Sequence, residues 1–136
     1  MINRVVLVGR MTKDPVLRKT GTGASVTSFT VACDRRIKTE GQPTADFINC
    51  VCWNKVADNT AQFTHKGSLV GVEGRIQTRS YDNSQGQKVY VVEVICDSVQ
   101  FLETRAARER AQSQPQMQQN NDNFYDMKTV ELEKEF

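Results

Sequence analysis

The stretch Ala45-Asp46-Phe47-Ile48-Asn49-Cys50-Val51-Cys52-Trp53-Asn54-Lys55 decides how this chain is read. Alternation with a period of two sends Phe47, Asn49, Val51, Trp53 and Lys55 to one face of a strand and Ile48, Cys50 and Cys52 to the other. The second face carries the small and branched apolar groups that fill the inside of a sheet or barrel. The first carries flat rings beside polar and charged groups. Taken alone, Phe47 and Trp53 also fit a strand buried on both sides, so the assignment turns on whether a second strand has the same design.

Residues 68–81 read S-L-V-G-V-E-G-R-I-Q-T-R-S-Y. Here Val70, Val72, Gly74, Ile76 and Thr78 share one face, while Leu69, Gly71, Glu73, Arg75, Gln77, Arg79 and Tyr81 share the other. This strand too is expected to be aliphatic within and to end outside in cations interleaved with a ring. Guanidinium and ammonium groups track phosphates and rings stack on bases, a mixture suited to a nucleic-acid strand and not to a core.

The whole chain of 136 residues has a formal charge of only +2. Residues 1–106 carry 14 Lys and Arg against 10 Asp and Glu, whereas residues 107–136 carry 4 against 6, so the basic excess lies in the first segment. That division predicts one domain over residues 1–105 and a tail over residues 106–136. No apolar run approaches the roughly 20 residues of a membrane span, and the N-terminus lacks the basic-then-apolar pattern of a secretory signal, so a soluble, cytoplasmic protein is expected. Cys33, Cys50, Cys52 and Cys96 all sit in strand-like apolar contexts and read as reduced core thiols. Cys50 and Cys52 lack the spacing of a zinc knuckle and His65 has no evident ligand set, so neither metal nor cofactor is expected.

The element order is strand-rich. Strands are predicted at residues 2–10, 25–33, 47–53, 68–81 and 88–96, with a short extended piece at 16–19 and a closing segment at 99–102. A polar loop spans residues 35–43, and a turn lies at 83–87. A short amphipathic helix is predicted over residues 56–65, with Val56, Thr60 and Phe63, together with Ala57 and Ala61, facing inward and Gly67 as its stop. Three strands, a helix and two strands match an all-β five-stranded Greek-key barrel, the oligonucleotide/oligosaccharide-binding fold (OB-fold), with its helix between the third and fourth barrel strands.

Four stretches, M-I-N-R-V-V-L-V-G-R-M-T-K-D-P, A-D-F-I-N-C-V-C-W-N-K, K-G-S-L-V-G-V-E-G-R-I-Q-T-R-S-Y and V-Y-V-V-E-V-I-C-D-S-V-Q-F-L-E, closely resemble the bacterial and phage single-stranded DNA-binding proteins of the homotetrameric type. The resemblance runs from Met1 to about Arg105. It implies stacking of bases on Phe47, Trp53 and Tyr81, with Lys55, Arg75 and Arg79 beside them. Ile37 stands where the family usually has a fourth aromatic, which shifts weight onto Arg35, Arg36 and Lys38. Arg4, Arg10, Arg18 and Lys66 fall where the family is often basic or polar, and each also reads as an ordinary surface charge. The resemblance further implies a homotetramer paired through N-terminal strands, with Ile2, Val6 and Val8 as candidate interface residues.

Beyond Arg105 the chain becomes rich in Gln and Asn with almost no aliphatics, the composition of a flexible, disordered linker. Its end, V-E-L-E-K-E-F, is similar to the acidic tip through which the family docks replication and repair proteins, here through Glu133, Glu135 and Phe136, although Lys134 interrupts it and no proline precedes the terminal Phe. An enzyme would need clustered carboxylates or a phosphate-cradling glycine loop, and neither pattern occurs, so no catalytic residue is expected. The function expected is binding of single-stranded DNA largely independently of sequence during replication, recombination and repair. An RNA-binding or primosome-type OB-fold module is the alternative, since it would share the stacking and the charge.

Overall fold

The structure is a computed structural model that describes residues 1–103. In chain order it contains β1 (Val5–Met11), β2 (Val16–Lys19), β3 (Ser25–Asp34), β4 (Ala45–Trp53), α1 (Asn54–Phe63), β5 (Leu69–Asp82) and β6 (Lys88–Phe101). The strands run in the order β1-β5-β6-β4-β3-β2, and β1 also pairs with β3 through Arg10 against Ala32 and Met11 against Val31. That second pairing closes β1, β3, β4, β6 and β5 into the barrel of the OB-fold. The helix follows the third barrel strand. The extended piece at Val16–Lys19 is a true strand, paired antiparallel with β3 as a flap on the barrel wall.

Alternation along each strand builds the core. Phe29, Val31, Cys50, Cys52, Val70, Val72, Val94 and Cys96 are buried together with Met11 and with Ala57 of the helix. Burial pushes the Cys52 thiol up to about 11, and Cys96 is also raised, chiefly through its hydrogen bond with Cys50. All four cysteines are free thiols.

Several expected boundaries shift for identifiable reasons. β1 begins at Val5, not at residue 2, because Asn3 leaves the ladder and instead brackets Ile76, its side chain donating to the Ile76 carbonyl and accepting from the Ile76 N–H, each at 2.9 Å. The helix starts at Asn54, two residues earlier than expected. Asn54 has φ of 59°, a left-handed conformation that asparagine tolerates, and this breaks the strand immediately after Trp53. The helix buries Ala57 and Thr60, with the Thr27 hydroxyl donating to the Ala57 carbonyl at 2.8 Å, while Phe63 points outward instead of into the core. Small residues line the inner face because the helix lies directly on β3.

β6 is one strand and not two pieces. Its irregularity is a bulge opposite Glu73 and Gly74, where Asp97 is the extra residue between Ser98 and Cys96. Beyond the barrel, β5 and β6 continue as a hairpin closed by a turn at 83–87, in which Asn83 Oδ1 accepts from the backbone of Gln85 and Gln87. Ile76 and Thr78, expected to face the core, therefore stand exposed where the hairpin leaves the barrel.

Gly74 sits where β5 crosses the bulge, and a Cβ there would drive into the backbone carbonyl of Ile95. Gly74→Ala is expected to cost about 1–3 kcal/mol in urea unfolding, the usual range for overpacking against a part that cannot yield. In the native state, only half-buried Cys33 should react with a thiol reagent. Its thiol is raised by burial, so the labelling rate should still be climbing above pH 9. Stoichiometric labelling of Cys50, Cys52 or Cys96 without unfolding would contradict this core.

Candidate nucleic-acid interface

Cross-strand register shows how the outer faces adjoin. Val16 pairs with Ser28, Ser28 with Val51, Val51 with Ile95 and Ile95 with Arg75, which makes one transverse row across five strands. At about 4.8 Å per strand the row is roughly 19 Å wide. The two strands singled out from the sequence are thus not neighbours, because β6 lies between β4 and β5 and contributes Ile95, Glu93 and Val91 to the surface. Sequence reasoning missed these residues because every position from 89 to 95 except Tyr90 and Glu93 is Val or Ile, so periodicity does not separate inside from outside there.

The rings stand along this surface. Trp53 is 44% exposed at the end of β4, opposite Val26, and Val26 in turn faces Arg18 of β2. Phe47, half-buried, lies six residues away, about 20 Å along the strand, opposite Ala32. Between the rings, the Thr30 hydroxyl donates to Asn49 Oδ1 at 3.1 Å, a polar pair that sequence reading did not anticipate. Tyr81 is 49% exposed near the hairpin tip, and the Arg79 guanidinium carbon lies 6.0 Å from its ring centre. Tyr90 was not among the expected rings. It is 76% exposed, but the register puts it opposite Ser80 and so on the other side of the hairpin from Tyr81, with Lys88 Nζ 5.8 Å from its centre.

The expected cations divide into two groups. Arg18, Arg36, Lys38 and Lys55 are exposed and their side chains have no ion-pair or hydrogen-bond partner among the described residues. Lys55 lies in the first turn of α1 and not on the strand face, because of the break at Asn54. Arg75 donates to Gln77 Oε1 at 3.0 Å. The second group is ion-paired. Arg10 donates to Glu103 Oε1 at 2.7 Å and to the Gly67 carbonyl at 2.9 Å. Arg35 grips Asp46 through Nη2 at 2.9 Å and Nε at 3.2 Å, and this hydrogen bonding holds the Asp46 carboxyl below its ordinary value and raises Arg35. Arg79 Nε donates to Glu93 Oε1 at 3.0 Å. Arg4 bonds Asp97 at 2.7 Å. Lys66 lies in the turn after α1, where its backbone N–H donates to Asp14 Oδ1 at 2.8 Å.

Ile37 is 81% exposed in the loop between β3 and β4, whose base is closed by the Arg35–Asp46 pair and by the Arg35 N–H donating to the Thr44 carbonyl at 2.9 Å. Among the described residues, no group of His, Cys, Asp and Glu could hold a metal ion, and no helix is long and apolar enough to cross a membrane. Glu133, Glu135, Phe136 and the predicted linker lie outside the described residues.

The model of the single-strand binding protein family matches residues 2–102. A single-stranded DNA-binding protein of Lactiplantibacillus plantarum is 56% identical over 114 residues, covering 83% of this chain and 57% of that protein. One from Halalkalibacterium halodurans is 55% identical over 91% of this chain and 71% of its own length. Single-stranded DNA-binding protein A of Bacillus subtilis is 58% identical over 77% of this chain and 62% of its own length. The aligned region thus spans little more than half to about 70% of these relatives.

Trp53 is the chain's single tryptophan. With 44% of its surface in solvent, its emission should be readily quenched by acrylamide in the unliganded protein, whereas a blue-shifted, protected emission would contradict its position.

Proposed function

Because the chain belongs to the single-strand binding protein family, we propose that it binds single-stranded DNA largely independently of sequence, and so protects and organises exposed strands during replication, recombination and repair without catalysing a reaction. The observation that carries this reading is the transverse row from Val16 to Arg75, which merges ring-bearing β4 and cation-bearing β5 into one continuous surface. Bases stack on Trp53, Phe47 and Tyr81. Every base has a π face, so stacking needs no particular sequence. Phosphates meet Arg18, Lys55 and Arg75 on the barrel and Arg36 and Lys38 on the loop, where Ile37 adds apolar contact. Arg35 and Arg10 contribute mainly by fixing the loop base and the barrel end, since their charges are already answered by Asp46 and Glu103.

The working particle in this reading is a homotetramer. Along residues 5–9, β1 pairs with β5 on one side only, because its contact with β3 is confined to Arg10 and Met11. That leaves a strand edge available, with Val6 and Val8 exposed beside it. Exposed Ile76, Tyr90 and Val92 on the back of the hairpin are further apolar surface for a neighbouring copy to cover. Residues 1–105 form the binding domain and residues 106–136 a tail whose Glu133, Glu135 and Phe136 engage replication and repair proteins. The site of action is the cytoplasm, on the nucleoid or on phage DNA.

Titration with poly(dT), followed by Trp53 emission, tests the assignment. Trp53→Ala should weaken binding by about 1–3 kcal/mol with little change in salt dependence, and Lys55→Ala should lower the slope of log K against log salt by about 0.7. Poly(rU) as competitor separates DNA from RNA preference. Unchanged affinity in the Trp53 variant would sink the stacking assignment.

A further inference from the structure

A carboxylate is buried in the middle of the surface assigned to a polyanion. Glu93 lies on β6 opposite Gln77, on the outer side of the sheet, yet it is only 8% exposed. Its neighbours on that side are Ile95, paired with Arg75, and Val91, paired with Arg79. Its ion-pair partner is Arg79, which is half exposed and reaches diagonally across the hairpin to place Nε 3.0 Å from Glu93 Oε1. The same guanidinium lies beside the Tyr81 ring.

Burial and charge together make this pair different from the others on the surface. The Arg35–Asp46 pair stands in solvent on both sides, so salt ions screen each partner separately. Glu93 is largely shielded from those ions, so its negative charge is screened less than that of Asp46 in its action on Arg79 and on a nearby phosphate. A cation needed only to attract phosphate would be better left unpaired, as Lys55 is. The pair instead holds a cation beside a stacking ring while cancelling that cation's contribution to long-range attraction.

We infer that Glu93 is a built-in charge brake: it positions Arg79 beside Tyr81 and withholds one unit of positive charge from the nucleic-acid strand, so that the hairpin grips by stacking more than by phosphate attraction. This rests on the single-stranded DNA reading above. The consequence is a strand held at the hairpin with less salt dependence than its count of cations implies, and released there more easily. Glu93 is then a positioning residue that acts through Arg79, holding its Nε at 3.0 Å.

The test is the slope of log K against log salt for poly(dT), measured on the full chain. Glu93→Gln keeps the size and an acceptor for Arg79 Nε but removes the charge. It should bind more tightly than wild type at 50 mM salt and steepen the slope by about 0.7, so that its advantage shrinks by about 2.5-fold between 50 and 200 mM. Glu93→Met, which removes charge and acceptor together, should steepen the slope similarly, and circular dichroism melts verify that both variants are folded. Asp46→Asn, on the solvent-exposed pair, should shift the slope less. An unchanged or shallower slope in either folded Glu93 variant overturns the brake while leaving the wild-type binding, and hence the proposed function, intact. Absence of salt-dependent poly(dT) binding by the wild-type protein overturns both.

Discussion

Two short ladders hold the halves of this barrel together: the parallel one, Cys50 against Val94 and Val51 against Ile95, and the antiparallel one, Arg10 against Ala32 and Met11 against Val31. On one side of the parallel ladder lie β4, β3 and β2, and on the other β6, β5 and β1. Parallel pairing is somewhat weaker per residue than antiparallel pairing, and only two residue pairs are in register there, so this joint depends on what packs behind it. Cys50, Cys52, Val94 and Cys96 are buried there against Val70 and Val72, and their burial holds the ladder in place. In front of the same ladder, Val51 and Ile95 bring the ring-bearing strand alongside the cation-bearing hairpin. At the parallel ladder the core and the surface therefore share one contact.

The surface is less cationic than a count of its Lys and Arg implies. Arg10, Arg35 and Arg79 answer Glu103, Asp46 and Glu93 within the protein. Each pair anchors something: the end of the barrel, the base of the loop after β3, and the ring of Tyr81. Arg18, Arg36, Lys38 and Lys55 have no such partner among the described residues and Arg75 bonds to Gln77, so these cations are spread around the rings instead of massed in one patch. In the proposed function, stacking, worth about 1–3 kcal/mol per base, therefore carries a larger share of binding than the count of cations implies.

Much of this was legible in the chain itself. The alternation from Phe47 to Trp53 identified a core side and a ring side, because two apolar residue classes with different sizes segregate by parity. The short strand at Val16–Lys19, the turn at 83–87 and the loop before β4 announced themselves through proline, glycine and polar clusters. The helix start was misplaced by two residues because nothing local in the sequence says that Asn54 adopts a left-handed conformation. Phe63 was put inside for a similar reason: helical periodicity names an apolar stripe but not how close the barrel lies, and the close approach at Thr27 and Ala57 leaves room for small residues only.

Sequence alone determined the element types, the two faces of each strand, the domain's basic surplus and the chemistry of its rings, since all of these follow from residue order within a few positions. Tertiary structure decided which faces became neighbours and which charges were cancelled. Glu93 and Arg79 are 14 positions apart, Arg10 and Glu103 are 93 apart, and β6 enters between strands that precede it in the chain. Such pairings exist only once the strands are in register, because hydrogen-bonded register, and not nearness in sequence, sets the few ångströms over which a carboxylate can neutralise a guanidinium.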